Sequence, residues 1–441
     1  MLIAIVALFS QLAQTLEFSF VALALQSLTV AIFVQRVASR GLFLQDVPSV
    51  LGVAVSAAQV SSYSAVFVWI LLVVGVVLGV VIPPEHAQLK RPRGPFVVGT
   101  RDGVWGVSQQ HFRVWYPAVE ANHAKPTPYF AWDEHSIGMA AFVQMPHFLF
   151  QHLHLTRTHT TVGAPPASSV RKPLVIFSHG LGGIRSTYSA LCADLASHGY
   201  VVVAPEHQDA TASITKAADG SLLQYARPTA AQIANNDNFE MRHQQLLHRR
   251  GEVAAWLKFI RSNSPGDEAI EVVRKLAEID RVHMAGHSFG GCTTIDCIAV
   301  LSASHGFVSG AALDSWMHPL GAAERGATLS LPTLMLNTEK FQWQANVDLM
   351  LALCKRSAAA SVVGFVPETG HQSVSDFPQF MRLGTRLLGH VGKIDAETAL
   401  NAYADAMLRL FEFAERGARK PSDSFAAELD PQLFTIQRKS F

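Results

Sequence analysis

A serine lies between two glycines at the end of an apolar run, in the stretch VHMAGHSFGGCTTID at positions 282–296. The pentapeptide GHSFG, residues 286–290, follows a run rich in β-forming residues and precedes a stretch compatible with a helix. In such a G-x-S-x-G pattern, Gly286 and Gly290 leave room for a crowded strand-to-helix turn, and the serine is exposed at the helix N-terminus. We therefore predict that Ser288 is the nucleophile of a hydrolase.

A serine hydroxyl is a weak nucleophile at neutral pH and needs a histidine base that a carboxylate holds in one tautomer. After a nucleophile of this kind, the acid and then the base are expected in chain order. His371 lies in ETGHQSVSDF, just after the last predicted strand, where a loop can return it to the serine. Asp314 and Glu339 each follow a predicted strand between the two, and spacing alone does not decide which one is the acid.

Acyl transfer also needs N–H donors for the negative charge that develops on the carbonyl oxygen. Phe289, directly after the nucleophile, provides one backbone N–H, and Leu181 in FSHGLGG, residues 177–183, provides the second. Four histidines between positions 147 and 159 raise the question of a metal site. No carboxylate or cysteine is interleaved with them, so we predict no metal ion and no cofactor.

Beyond Pro84, short apolar runs alternate with longer amphipathic stretches, which is typical of an α/β domain with a mainly parallel sheet. We predict a catalytic domain over residues 85–441 and a separate region over residues 1–84. Strands are predicted at 112–117, 173–179, 200–207, 281–288, 308–314, 331–338 and 360–367. Helices are predicted at 186–198, 242–262, 290–304, 344–354 and 396–416, with a long surface loop at 217–237.

Residues 1–84 contain only four charged side chains, at positions 17, 36, 40 and 46. Two transmembrane helices, roughly at 13–35 and 62–83, are predicted from these apolar runs, and three spans are the alternative. A signal peptide fits less well because the N-terminus opens without Lys or Arg. The prediction is an integral membrane protein. Basic residues at 90, 91 and 93 favour a cytosolic catalytic domain, with a lumenal or extracellular one as the alternative.

The formal net charge of +1 gives no sign of nucleic-acid binding. The segment 128–155 is rich in large apolar side chains at positions 132, 142, 145, 148, 149 and 150. One interpretation is a surface that enters a membrane interface, and the other is a lid packed on the core.

Several segments, in the same order along the chain, resemble the platelet-activating factor acetylhydrolase family, the lipoprotein-associated and intracellular type II phospholipases A2. They are PLVIFSHGLGGIRSTYSALCADLASHGYVVVAPEHQDATAS (173–213), HMAGHSFGG (283–291), ALDSWMHPLG (312–321), NTEKFQWQAN (337–346) and GHQSVSDF (370–377). The resemblance covers roughly residues 90–415 and implies an α/β-hydrolase fold with Ser288 as nucleophile and His371 as base. It assigns the acid to Asp314, in a segment similar to LDSWM, and the oxyanion amides to Leu181 and Phe289.

The same resemblance implies a calcium-independent hydrolase that cleaves the sn-2 ester of phospholipids with acetyl or short or oxidised acyl chains. A membrane esterase of broader specificity, a thioesterase or a phospholipase A1 would use the same residues. A catalytically silent lipid-binding protein is a third possibility, which the intact Ser, Asp, His and glycine set disfavours. Predicted partners are the phospholipid substrate and the bilayer, through the N-terminal helices and in one interpretation through residues 128–155.

Overall fold

The computed structural model of the chain describes residues 89–120, 125–167, 171–235, 237–380, 385, 389–417, 425–429, 431 and 434–439. The larger of two compact units comprises Leu89–Met145 and Thr158–Phe441. The described part of the smaller unit is Pro146–Arg157, with a short helix Phe148–Gln151 followed by a 3-10 helix His152–Leu155. The boundary at residue 84 stays a prediction.

Within the described residues, eleven strands form one sheet in the order β13-β12-β11-β10-β9-β5-β6-β2-β1-β4-β3. These strands are β1 Val97–Trp105, β2 Gln110–Ala118, β3 Pro126–Pro128, β4 Arg157–Val162, β5 Lys172–Ser178, β6 Val201–Pro205, β9 Ala277–His287, β10 Phe307–Leu313, β11 Thr333–Thr338, β12 Ser361–Val366 and β13 Thr435–Lys439. A separate hairpin pairs β7 Ile214–Lys216 with β8 Leu222–Gln224. It lies partly in the segment that we predicted to be a loop.

Helices connect the strands. The larger unit contains α-helices Glu134–Val143, Ser189–Ser197, Ala230–Ala234, Phe239–Arg261, Glu268–Leu276, Phe289–Val300, Ala322–Gly326, Gln344–Arg356, Phe377–Phe380 and Ala396–Glu415, and 3-10 helices Ser302–His305, His371–Val374 and Phe425–Glu428. Local chemistry fixes some of their ends. Asp267 accepts a hydrogen bond from the N–H of Ile270 at the start of one helix. Basic residues occupy the last turn of the same helix, where they interact favourably with the negative end of the helix dipole.

Strands β6, β5, β9, β10, β11 and β12 are neighbours in the sheet and run parallel. Their short apolar sequences are buried almost throughout, as expected where helices cover both faces of a parallel sheet. All seven predicted strands are present, and so are the five predicted helices, with ends shifted by a few residues. The mixed α/β fold with its large, mostly parallel sheet is consistent with the predicted α/β-hydrolase fold.

The predicted membrane topology requires a correction. None of the helices in the described part of the chain is both long enough and apolar enough to cross a bilayer. Helix Phe239–Arg261 has the length, but Glu, Arg and Lys side chains occur along it. The prediction of an integral membrane protein, and of the side on which its catalytic domain lies, is therefore unsupported. The spans predicted at 13–35 and 62–83 lie outside the described residues.

Candidate active site

Ser288 lies at the tight turn between β9 and helix Phe289–Val300. Its backbone has φ 57° and ψ −117°, a conformation that L-residues with a side chain rarely adopt. Its N–H donates a hydrogen bond of 2.9 Å to the carbonyl oxygen of Leu313 at the end of β10. This strained strand-to-helix turn is the geometry that the G-x-S-x-G pattern predicts, and the neighbouring strand holds it in place.

The two glycines of the pentapeptide are required by close packing of the backbone. A Cβ atom at Gly290 would lie 1.9 Å from the carbonyl oxygen of Ser178, at the end of β5. A Cβ atom at Gly286 would lie 2.3 Å from the carbonyl oxygen of Gly290. Both distances are far below van der Waals contact, so any other residue at either position would displace the turn that carries Ser288.

The structure brings Ser288, His371 and Asp314 together in one hydrogen-bonded chain. His371 Nε2 is 3.1 Å from Ser288 Oγ, and His371 Nδ1 is 2.6 Å from Asp314 Oδ2. Because the carboxylate can only accept, Nδ1 carries the proton and donates it to Asp314, which leaves Nε2 to accept from the serine hydroxyl. A serine, a base and an orienting carboxylate in this arrangement can carry out acyl transfer.

Asp314 is fully buried at the end of β10. Burial raises the pKa of its carboxyl group, while hydrogen bonds from His371 and Thr338 oppose that rise. Thr338 donates to the two carboxylate oxygens through its N–H, at 2.6 Å, and its hydroxyl, at 2.9 Å. Glu339 points elsewhere, since its Oε2 accepts the N–H of Glu368. Of the two acids that spacing left open, only Asp314 bonds the histidine among the described residues.

Contacts outside the triad position the loop that carries His371. The ring of Phe341 stacks on the imidazole, with centroids 4.1 Å apart and an interplanar angle of 16°. Further along the loop, Asp376 accepts the N–H groups of Ser189, at 2.7 Å, and Ala190, at 3.0 Å, at the start of a helix. Our sequence analysis missed this cap. An aspartate five residues after the proposed base was the available signal.

The loop after β5 lies directly against the nucleophile. A Cβ atom at Gly180 would be 3.0 Å from the Cβ of Ser288. Gly182 has φ 71°, and its N–H donates to the carbonyl oxygen of Thr211 at 2.8 Å, which holds the turn. The backbone N–H groups of Leu181 and Phe289, our predicted oxyanion donors, have no acceptor within the described residues. Both are therefore available to a substrate oxygen.

Arg249 is a fully buried residue that sequence reasoning missed. Its Nη1 donates to the carbonyl oxygen of His179, at 2.6 Å, and to Ser178 Oγ, at 3.0 Å. Its guanidinium carbon lies 4.7 Å from the ring centroid of Phe289, and its charge is paired with Asp209 at 2.8 Å. One side chain thus contacts both segments that carry the predicted oxyanion donors. Only its position within an amphipathic helix was visible in the sequence.

One group of three side chains in the described part of the chain has metal-ligand geometry, namely His287, Asp314 and His371. Two of these are the hydrogen-bonded pair of the triad, so a metal ion bound there would break the bond that orients His371. His287 Nδ1 is also engaged, 2.8 Å from the hydroxyl of Tyr188. The arrangement of these three side chains therefore suits hydrogen bonding better than metal coordination.

The segment from 128 to 145 combines the two interpretations of its apolar side chains. Phe142 packs on the loop that carries our predicted oxyanion donor Leu181, because a Cβ atom at Gly182 would lie 2.3 Å from its ring. By contrast Ile137, Val143 and Met145 are exposed at 46%, 42% and 43%. This segment therefore covers the loop with one apolar side chain and presents others to solvent.

Comparisons with known proteins agree with this architecture. A model of the family described as "Platelet-activating factor acetylhydrolase, isoform II" matches residues 81–422. A platelet-activating factor acetylhydrolase of Gallus gallus is 29% identical over 71% of this chain and 79% of its own. One of Cavia porcellus is 29% identical over 74% and 78%. A putative phospholipase A2 of Schizosaccharomyces pombe is 28% identical over 40% and 48%.

A solved structure, a ferulic acid esterase from Streptomyces cinnamoneus, superposes with a TM-score of 0.59 at 22% identity. It covers 80% of this chain and 99% of the esterase, and at that identity the likeness concerns the fold. The family match extends over most of the chain and includes every residue of the triad. The chain thus belongs to the platelet-activating factor acetylhydrolase family and is an ester hydrolase.

Proposed function

We propose that the protein is a calcium-independent serine hydrolase that cleaves the sn-2 ester of phospholipids carrying an acetyl or a short or oxidised acyl chain. The observation that carries the proposal is the hydrogen-bonded chain from Ser288 through His371 to Asp314. The names of the similar proteins, platelet-activating factor acetylhydrolases and a putative phospholipase A2, support a phospholipid as the substrate.

In the first half of the reaction, Ser288 Oγ attacks the sn-2 carbonyl carbon while its proton passes to His371 Nε2. The carbonyl oxygen becomes an oxyanion that accepts hydrogen bonds from the N–H groups of Leu181 and Phe289. When the intermediate collapses, the bond from the carbonyl carbon to the glycerol oxygen breaks. His371 then returns the proton to that oxygen, and a lysophospholipid leaves.

In the second half, water attacks the acyl group on Ser288 and gives a proton to His371. The ester bond to Oγ breaks, Oγ regains a proton from the imidazolium, and the carboxylic acid leaves. Asp314 stabilises the imidazolium in both halves. Amide N–H groups stabilise the developing negative charge throughout, so none of these steps calls for a calcium ion.

The exposed side chains of Ile137, Val143 and Met145 support a substrate that resides in a lipid surface. They belong to the segment whose Phe142 packs on the loop that carries Leu181. Apolar side chains beside an active site can enter the headgroup region and bring the site to its substrate.

Labelling with a fluorophosphonate probe tests the proposal. We expect the probe to label Ser288 of the full chain, and Ser288→Ala to abolish both labelling and hydrolysis of 1-alkyl-2-acetylglycerophosphocholine measured in EDTA. A phospholipid with an acetyl sn-2 chain should protect against labelling better than its long-chain analogue. Labelling at another residue would refute the nucleophile. Hydrolysis of simple esters without any turnover of phospholipids would refute the substrate class.

A further inference from the structure

One depression in the structure is lined by none of the three residues Ser288, Asp314 and His371. It is a cavity of about 360 Å³ between the segment that follows β10 and the start of helix Gln344–Arg356. Its walls include Trp316, His318, Arg325 and Trp343, and Asn238 closes one side. None of these residues takes part in the bond-making steps above.

Two short connections link this cavity to the triad. Trp316 follows Asp314 by two residues, and its N–H donates to the carbonyl oxygen of Ser288 at 3.1 Å. Trp343 packs edge-on against Phe341 at 4.5 Å, and Phe341 in turn stacks on His371. One wall is thus connected to the nucleophile and the other to the base, which places the cavity where part of a bound substrate can extend.

The cavity has a positive charge and unpaired polar atoms. Arg325 is the only fully charged side chain among its described lining residues. Two guanidinium N–H groups, on Nε and Nη2, donate to the carbonyl oxygens of Leu320 and His318, which orients the group and leaves further donors for a ligand. His318 Nε2 and Asn238 Oδ1 are buried without a hydrogen-bond partner in the described part of the chain. Buried polar atoms of this kind usually have a partner, and a ligand oxygen would supply one for His318 Nε2 when that nitrogen carries the proton.

The aromatic side chains that line the cavity indicate which chemical class of ligand it would bind. The ring of His318 stacks under Trp316, with centroids 5.2 Å apart and an interplanar angle of 13°. Burial, followed by the positive charges of Arg325 and Arg242, lowers the pKa of His318, which favours the neutral imidazole. A guanidinium with a neutral imidazole suits a phosphate anion, and tryptophans suit a quaternary ammonium group. A phosphocholine group carries both.

We propose that this cavity binds the phosphate-bearing headgroup of a glycerophospholipid, with Arg325 contacting the phosphate, while the sn-2 ester lies over Ser288. The inference rests on the proposed function and deepens it, because it identifies the residues that would distinguish a phospholipid from a neutral ester. It makes Arg325 a specificity-determining residue that is not needed for the chemical step.

The test compares one acyl group on two carriers in the full-length protein. In Arg325→Gln, kcat/KM for 1-alkyl-2-acetylglycerophosphocholine should fall roughly tenfold or more, because a charge-assisted contact to phosphate is lost. Turnover of 1-alkyl-2-acetylglycerol and of p-nitrophenyl acetate should stay within about twofold, which also shows that the variant is folded. Arg325→Lys should retain most of the phospholipid activity. The matched control is Arg281→Gln, which removes a half-buried arginine within β9 that pairs with Glu278.

A second measurement does not depend on phospholipid turnover. Glycerophosphocholine should inhibit p-nitrophenyl acetate hydrolysis competitively in the wild type and much less in Arg325→Gln. Equal kcat/KM for the phospholipid in both proteins, or equal inhibition, would overturn the proposal. Inorganic phosphate that inhibits as strongly as glycerophosphocholine would also overturn it, because the site would then recognise free phosphate and not a headgroup. A wild type that is inhibited but cleaves no phospholipid would refute the proposed function and support the anion site.

Discussion

Asp314 and Glu339, the two candidates for the acid, should differ sharply in how much their substitution lowers kcat. Asp314→Asn should lower kcat roughly 10⁴-fold, because the amide can no longer hold His371 in the required tautomer. Glu339→Gln should leave kcat within about tenfold, since its carboxylate bonds the backbone of Glu368 and not the histidine. Steady-state kinetics on a soluble acetyl ester would measure both. A larger loss in Glu339→Gln than in Asp314→Asn would move the acid to the later strand.

The same pair shows how far residue-level prediction from sequence reaches. Ser288 and His371 could be placed because a pentapeptide and the chain order are local signals. Spacing could not choose between the two acids, because β10 and β11 are parallel neighbours and both candidates follow them at the same edge of the sheet. What distinguishes Asp314 is its backbone at φ 47° and its bonds from Thr338, which depend on tertiary structure.

At the scale of packed elements, helix Phe239–Arg261 contacts the predicted oxyanion loop through Arg249. Arg249→Lys should lower kcat by about tenfold or more with little change in KM, because one ammonium cannot replace the planar fork that contacts His179 and Phe289. Arg113→Lys is the matched control. Arg113 is equally buried, but it contacts Asp102 and the carbonyl oxygens of residues 128 and 129. Full activity in a folded Arg249→Lys, or the same loss in both variants, would contradict this role.

The helix that follows Ser288 contains a buried acid, Asp296, which should make the stability of the fold depend on pH. Burial raises the pKa of this carboxyl group to about 7, although Arg250 Nη1 donates to it at 2.9 Å. Because the folded protein then keeps a proton that the unfolded chain releases, the stability that this proton contributes is greatest at low pH. It is lost as pH rises from about 4 to about 7.

Asp296→Asn removes that titration. The free energy of unfolding of the variant, relative to wild type, should therefore rise across this window with a slope of up to ~1.4 kcal/mol per pH unit. Urea denaturation at several pH values measures it, and Asp280→Asn, at an exposed carboxylate, is the control. A difference that is independent of pH would show that Asp296 is ionised throughout.

Strands and helices could be predicted where the local sequence has the hydrophobic pattern of the element that forms. The parallel strands β5, β6 and β10 read as continuous apolar runs because both of their faces are buried. Strand β1, VVGTRDGVW, was missed because Arg101, Asp102 and Gly103 interrupt its pattern. Its Asp102 is tolerated because it pairs with two buried arginines, Arg113 at 2.8 Å and Arg185 at 3.0 Å. The pair with Arg185 joins residues 83 positions apart in the chain, so no local window of sequence reveals it.

At the scale of the whole molecule, the site lies at the carboxyl edge of the parallel strands. Ser288 follows β9, Asp314 follows β10, His371 follows β12, and the loop with Leu181 follows β5. Adjacent parallel strands bring these four chain segments together although they are separated by up to 190 positions in the sequence. The family resemblance includes all four of these segments, as motifs in the same order along the chain. The cavity lined by Arg325 draws its walls from three segments that only the fold brings together, although two of the motifs, ALDSWMHPLG and NTEKFQWQAN, supply its tryptophans.

Substrate choice is the last property that belongs to the whole molecule, because the proposed lipid substrate resides in a bilayer and must bring its sn-2 ester to Ser288. Removing a chain from the bilayer costs ~0.8 kcal/mol per methylene, so each added pair of methylenes should slow turnover by roughly tenfold if extraction precedes reaction. We therefore expect kcat/KM to fall steadily along a series of sn-2 chains from acetyl to palmitoyl on one headgroup, with the same values in calcium and in EDTA. Equal rates along the series, or an absolute calcium requirement, would refute the acetylhydrolase activity and identify a general lipase.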